Sequence, residues 1–518
     1  MRVQRVSGVL DYGLAHCPDK VAVVGASGRL SYRVLDELAN RTSSALRELG
    51  VEPGDRVAVS LPNDVDIVAL FHGAMRLGAQ WVGVNMALSS REKSRLLTAS
   101  EARFFFCTES IGSELRDHEA PPIVVIDSAP SGDRWRELVA KGSIERPSST
   151  REPHEAAAIA FTSGSTGDPK GVIHSEHNML LPGAVICAGR DYDFDLVKGD
   201  FLPLTILNLI VLGPLLTAQA GGTFVAMDRR DVDGNVEWIE REQLTVWNGV
   251  PALFFDMVQR ADITRERISS LRDIWTGGAP MPEGIRSSFE SKFATRIYGT
   301  YGLTEMPTIV AMEPLETQGA DHVPGSSGVV LPHVRVTVVD EEGHPNALGD
   351  VGQLCVSATH DGPWGGMYRP MLGYLHNPEA TAETIQNGVL MTGDLGSIDE
   401  RDQVYVKDRE SSMILRGGAN VYPTEVERVV EEIVGVAGVV VVGVPDERLG
   451  QRVVAVVERA DTAQLTEQEI VAYCQLNLAK YKVPERVVFI PKLPRNAMNK
   501  VIRAQLLRLF DVEDARES

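Results

Sequence analysis

Five cysteines are spread over 518 residues, and Cys17, Cys107, Cys187, Cys355 and Cys474 form no Cys-x-x-Cys pair. Such spacing predicts buried, reduced thiols and excludes a disulfide scaffold, a cysteine-ligated metal or a cysteine nucleophile as the organising chemistry. No apolar run approaches the roughly 20 residues that span a bilayer. The richest, Ile206 to Ala220, is interrupted by Asn208, Gly213 and Pro214 and is expected to be a buried element. Met1 to Leu14 carries Arg2 and Arg5 without the apolar core and cleavage site of a secretory signal, so cytoplasmic residence is expected. Positive charge is also scarce: 51 Lys and Arg against 71 Asp and Glu leave a net charge of -20, which argues against a nucleic-acid-binding surface. Internal repeats, heptads and low-complexity tails are missing as well.

The chain is too long for one compact core and predicts two or more domains. Apolar residues at helical spacing predict a helix over Tyr32 to Leu49, with Gly50 as its C-cap. Strands at Arg56 to Leu61, Trp81 to Asn85 and Phe104 to Cys107 alternate with a helix around Asp66 to Leu77, which indicates a mostly parallel sheet covered on both faces. Ser128 to Glu155 is rich in Pro, Ser and charge and reads as a surface connection. Further strands are expected at Gly221 to Met227, Leu244 to Trp247, Asp273 to Thr276 and Ala294 to Tyr298. The last two run into Gly277-Gly278-Ala279-Pro280 and Gly299 to Glu305, so two loops leave strand C-termini, where ligands of open α/β sheets bind. Short β-like runs dominate from Gly328, and beyond Arg409 a compact αβ unit follows, with helices near Glu425 to Ile433 and Glu467 to Ala479. The fold class is therefore α/β: a large N-terminal domain of αβ subdomains with a β-rich subdomain (1–409), then a small αβ domain (410–518).

The most informative stretch is Thr162-Ser163-Gly164-Ser165-Thr166-Gly167-Asp168-Pro169-Lys170-Gly171, set directly after the apolar run Ala156 to Phe161. Clustered backbone N–H groups and hydroxyls in such a loop cradle a phosphate chain. It is not the ordinary P-loop, because Gly167 is followed by Asp-Pro-Lys-Gly rather than Gly-Lys-Ser/Thr. A polyanion such as ATP, bound by a chain this acidic, calls for local donors and a divalent cation.

The ten-residue string resembles the phosphate loop of the adenylate-forming enzymes, the superfamily of acyl- and aryl-CoA synthetases, luciferases and peptide-synthetase adenylation domains. Tyr298 to Glu305 resembles their Tyr-Gly-x-Thr-Glu motif. The resemblance implies that Tyr301 packs on adenine, that Thr304 contacts the α-phosphate and that Glu305 holds Mg²⁺, with Thr300 and Gly302 beside them. Gly278, Ala279 and Pro280 resemble the turn lining the adenine pocket. Thr392-Gly393-Asp394 implies a contact from Asp394 to the ribose hydroxyls, and Asp408-Arg409 an arginine on ribose or phosphate. Arg416 to Glu427 resembles the glycine turn against the pantetheine tunnel, which gives Gly417 and Gly418 a coenzyme A role. Pro491 to Lys500 resembles the segment carrying the adenylation lysine, here Lys500.

Five motifs in order imply a carboxylic acid–CoA ligase using ATP, Mg²⁺ and coenzyme A, with catalytic roles for Lys500, Thr304 and Glu305 and a hinge at Ser411. The acyl pocket is expected from Ile206, Asn208, Trp247, Asn248, Gly249, Gly277, Thr300 and Met306, an apolar set that favours a hydrophobic monocarboxylate. Departures are Thr205-Ile206 where the family often has an aromatic and His, Ser411 at the usually charged hinge, Asn499 for glycine and Ala419 for glutamate. Transfer to a separate carrier protein and a non-catalytic nucleotide-binding protein are the alternatives, since no carrier domain follows Lys500. A homodimer stays open; no membrane span and no nucleic-acid partner are expected.

Overall fold

The computed structural model describes residues 5–126, 134–148, 151–162, 170–278, 281–306, 309–315, 321–340, 342–409, 412, 414–416, 419–421, 423–446, 450–460, 464–478, 480–495, 501–503, 505–507 and 510. The first long helix is capped at both ends, at its C-terminus by the expected Gly50. Ser31 accepts the Val34 N–H at the start of Tyr32–Glu48, a buried stripe of Leu35, Ala39 and Leu46 faces the core, and Gly50 follows the last turn with a φ of 90°.

Among the described residues the strands form four sheets. The seven-stranded sheet holds Arg56–Ser60, Gln80–Gly83, Phe104–Cys107, Ile123–Val125 and Ala156–Thr162 in parallel, with Lys170–Ser175 and Gly373–Tyr374 added antiparallel at one edge. The nine-stranded sheet has Val197–Asp200, Thr223–Ala226, Val246–Gly249, Asp273–Gly277 and Ile297–Tyr301 in parallel, and it recruits Val21–Gly25 and Gly28–Ser31 from the chain's beginning. An antiparallel sheet of Val334–Val339, Gly352–Ala358, Val389–Ile398, Ile385–Gln386 and Val404–Arg409 is the expected β-rich subdomain. The fourth sheet, Ile414–Arg416 through Arg486–Ile490, closes on its own core of Ile414, Val426, Val441, Val453, Ile470 and Cys474.

Three expectations are corrected. The segment read as a surface connection contains a helix, Arg134–Lys141, whose Trp135 is buried edge-on to Phe106 at 5.0 Å. The strand expected from Ala294 starts at Ile297 and continues to Tyr301, because Ala294 caps helix Glu283–Phe293 in the left-handed conformation. Cys107, Cys355 and Cys474 are buried free thiols, whereas Cys17 and Cys187 are only half-buried. No helix among the described residues is long and apolar enough to cross a membrane.

Candidate active site

The strands Ala156–Thr162 and Lys170–Ser175 are antiparallel neighbours, with Thr162 opposite Lys170, so the glycine-rich string connects a hairpin. Ser163, Gly164, Ser165, Thr166 and Gly167 lie outside the described residues. The Lys170 ammonium sits 5.1 Å from the ring centre of Tyr374, a cation–π contact. Tyr374 lies on the strand paired with Lys170–Ser175, and its hydroxyl donates to Glu305 Oε1 at 2.9 Å. Two further bonds hold that loop: the Met371 N–H donates to the Glu305 carbonyl at 3.1 Å, and His174 Nε2 donates to the Thr304 carbonyl at 2.8 Å. His174 is buried, which lowers its pKa to about 4 and keeps the ring neutral. Sequence reasoning missed both Tyr374 and His174, whose roles come from sheet pairing rather than from a motif.

On the other side, the Tyr301 hydroxyl donates to Asp394 Oδ2 at 2.8 Å. Asp394 is buried in Val389–Ile398 and stands opposite Arg409 of Val404–Arg409. Its turn is built locally: Thr392 Oγ1 donates to the Leu354 carbonyl at 2.7 Å and accepts the Asp394 N–H at 3.0 Å, while Gly393 takes a φ of 70°. Gly278 has a φ of 77°, the left-handed turn that ends strand Asp273–Gly277. Gly277 faces Thr300 so closely that a Cβ there would lie 2.2 Å from Thr300 Oγ1, which itself donates to the Thr276 carbonyl at 3.1 Å. Lys170 is thus linked to Glu305 through Tyr374, Tyr301 to Asp394, and Thr300 to the Gly277 turn. Ala279, Pro280, Ser411, Gly417, Gly418 and Lys500 lie outside the described residues, as does the side chain of Arg409.

The pocket set is only partly brought together. Parallel register puts Asn248 beside Trp275, and Gly277 beside Thr300, on one face of the nine-stranded sheet. Alternation sends Trp247 and Gly249 to the opposite face from Asn248 and Gly277. Trp247 is fully buried, 5.7 Å edge-on from Phe254, and its indole N–H donates to Asn235 Oδ1 at 3.1 Å. A Cβ on Gly249 would lie 2.2 Å from Phe254. Met306 is buried in the core shared with Leu181 and Val185. Ile206 precedes the short helix Leu207–Ile210, and Asn208 lies in its first turn.

Glu305 fits the Mg²⁺ role that its motif's resemblance implies. One oxygen is held by Tyr374, the other has no hydrogen-bond partner among the described residues, and a half-buried carboxylate oxygen is a proper Mg²⁺ ligand.

A family model described as AMP-binding enzyme matches residues 10–363, and one described as AMP-binding enzyme C-terminal domain matches residues 425–500. The chain is 32% identical over 482 residues to the long-chain-fatty-acid–CoA ligase FadD13 of Mycobacterium tuberculosis, covering 92% of each chain. It is 31% identical over 532 residues to the fatty acid–[acyl-carrier-protein] ligase ScoC of Streptomyces coeruleorubidus, covering 100% of this chain and 98% of that one. The crystal structure of ATP-bound MatB from Rhodopseudomonas palustris superposes with a TM-score of 0.88 at 28% identity, over 97% of this chain and 99% of that chain.

Proposed function

The chain belongs to the AMP-binding enzyme family of adenylate-forming ligases, and on that basis we propose that it joins a carboxylic acid to coenzyme A in two half-reactions at one site. In the first, a carboxylate oxygen attacks the α-phosphorus of ATP, the bond to the β-phosphate oxygen breaks, and acyl-AMP and pyrophosphate form. In the second, the thiolate of coenzyme A attacks the acyl carbon, AMP leaves and a thioester forms. The observation that carries this reading is the stitching of three remote motifs through Tyr374–Glu305 and Tyr301–Asp394 into one cluster beside Lys170.

Negative charge accumulates on the transferring phosphoryl group and on the pyrophosphate, so fixed cations and N–H donors aimed there lower the barrier. Lys170 and the loop from Thr162 supply them, and Lys500 joins them from the C-terminal domain. Mg²⁺, when bound, neutralises phosphate charge, and Glu305 is its ligand. Asp394 orients the ribose, with its position held by Tyr301. Gly417 and Gly418 approach in the second half-reaction, after the domain 410–518 turns about Ser411 relative to 1–409.

A second reading has a specific observation behind it: the relative ScoC, matched over its whole length, is named for transfer to an acyl-carrier protein. Mass spectrometry of products from the protein, ATP, Mg²⁺, coenzyme A and pooled aliphatic, alicyclic and aromatic acids tests both. A new acyl-CoA with stoichiometric AMP is the expected result. Enzyme-bound acyl-AMP without thioester, discharged only by an added carrier protein, establishes the second reading instead.

A further inference from the structure

Strand Gly373–Tyr374 is two residues long and forms an edge of the seven-stranded sheet. The chain around it is held by the Leu372 N–H donating to the Ile173 carbonyl at 2.8 Å, the Leu375 N–H to the Gly171 carbonyl at 2.7 Å and the Tyr374 N–H to Thr381 Oγ1 at 2.8 Å. Asn178, in the first turn of helix Glu176–Arg190, ties down the approach to the strand by donating to the carbonyls of Arg369 and Pro370 at 2.7 and 3.1 Å. This short segment is also what grips the Thr304–Glu305 loop, through the Met371 N–H on the Glu305 carbonyl and the Tyr374 hydroxyl on Glu305 Oε1.

The same segment lines an open cavity of about 790 Å³, a size within the roughly 300–1,000 Å³ of small-molecule sites. Met371, Gly373 and Tyr374 contribute to its wall, and helix Pro378–Thr384 contributes Pro378 and Ala382. Ile173, Pro370, Leu372 and Ile385 make much of the remaining lining apolar, with Leu372 45% exposed. No Asp or Glu lines the cavity, in a chain that has 71 of them, whereas Arg369, His154 and His376 do. His376 is turned to Glu101 at 3.3 Å, but the Arg369 guanidinium has no carboxylate partner among the described residues. His177 stands beside this basic group, its ring 4.8 Å from that of His154, and burial lowers its pKa with His154 and Arg369 pushing the same way. Basic groups without an opposing carboxylate attract an anion, and apolar walls reward a tail behind the charge.

We propose that this cavity is a regulatory site for an amphiphilic anion, a carboxylate with an apolar tail, whose binding strengthens the hold on Mg-ATP. The ligand meets Met371 and Tyr374 in the arrangement that also holds Glu305. A ligand with affinity for one arrangement shifts the population toward it, and the coupling between the two sites is reciprocal. The inference rests on the Mg²⁺ role proposed above for Glu305 and adds a second site to it.

The test is calorimetric titration of Mg-ATP into the full chain with and without decanesulfonate below its micelle concentration, a probe with an anionic head and an apolar tail but no carboxyl to activate. Methanesulfonate supplies the head alone, and decyltrimethylammonium supplies the tail with the opposite charge. The expected result is a Kd for Mg-ATP at least about fivefold lower with decanesulfonate and unchanged with the other two. Arg369→Glu reverses the charge and Ala382→Trp fills the space; both positions are exposed, and both variants are expected to bind Mg-ATP as the wild type does while losing the response. Tyr374→Phe, which lacks the bond to Glu305, is expected to lose most of it. An unchanged Kd with decanesulfonate, an equal response to decyltrimethylammonium, or a full response in both cavity variants overturns the site. A full response in Tyr374→Phe overturns the route through Glu305. Failure of the wild type to bind Mg-ATP under any of these conditions overturns the nucleotide reading itself and this inference with it.

Discussion

Tyr374 serves the site with two parts of one side chain: its ring faces the Lys170 ammonium and its hydroxyl holds Glu305 Oε1. Tyr374→Phe keeps the ring and removes only the hydrogen bond. The apparent KM for Mg-ATP is expected to rise about threefold to tenfold, the equivalent of one hydrogen bond of ordinary strength, with little change in melting temperature. Initial rates at varied Mg²⁺ and ATP check this, and an unaltered Mg²⁺ dependence removes Glu305 as the ion's ligand. A second residue-scale expectation concerns His322, which is clamped between Glu283, at 2.9 Å, and Glu313, at 2.7 Å. The hydrogen bonds it donates to Glu283 and Glu313 raise its pKa to about 9. A histidine with a raised folded pKa contributes its full stability below the unfolded value of about 6.5 and loses it as pH climbs through 9. His322 likewise holds Glu283 low, and Glu313 is held low by His322 and Arg286 against the opposing effect of burial, so their contribution fades as pH falls below about 4.5. Urea unfolding from pH 6 to 10 is expected to show the wild type losing on the order of 1–2 kcal/mol more than His322→Gln. Parallel pH profiles exclude the clamp.

At the scale of the element, strand alternation decides who belongs to the site. Val246–Gly249 presents Asn248 toward Gly277's face and Trp247 toward Phe254 and Asn235. Trp247→Phe is therefore expected to cost about 1–3 kcal/mol of stability in urea titration while the KM for the acid stays within about twofold. A large KM change with unchanged stability restores Trp247 to the pocket. Much at this scale was readable from residue order. An apolar 3.6-residue stripe followed by Gly50 marked the first helix, Pro53-Gly54 and Pro62 bracketed Arg56–Ser60, and an unbroken apolar run marked Phe104–Cys107. Helix Arg134–Lys141 was not readable, because its one deeply buried residue is Trp135 and the stretch around it is polar. The start of Ile297–Tyr301 was misplaced because Ala294, apolar and contiguous with the strand, is used as a helix cap.

At the scale of the molecule, the proposed reaction has the domain 410–518 serve two half-reactions in turn. Lys500→Ala is expected to lower adenylate formation by a factor of about a hundred or more while thioester formation from supplied acyl-AMP is largely kept. Ser411→Pro, which restricts φ at the proposed hinge, is expected to impair thioester formation more than adenylation. Single-turnover measurement of each half-reaction checks both, and equal loss of the two steps in either variant contradicts the alternating model.

The sequence by itself determined the chemistry available: contiguous strings such as Thr162 to Gly171 and Tyr301 to Glu305 carry their donors, hydroxyls and carboxylate within a few residues, and short spacing survives any packing. It also determined the α/β class, through periodicity that each segment expresses alone. Only the tertiary structure decided which of these strings meet. Tyr374 reaches Glu305 across 69 residues of chain, Tyr301 reaches Asp394 across 93, and Lys198 locks Asn248 across 50. Those meetings depend on sheet order and register, and a one-residue slip would exchange Asn248 for Trp247 on the face of Lys198 and Asp200. Sheet order and register are in turn selected by the packing of whole faces against helices, to which every strand contributes and which no single stretch of sequence encodes.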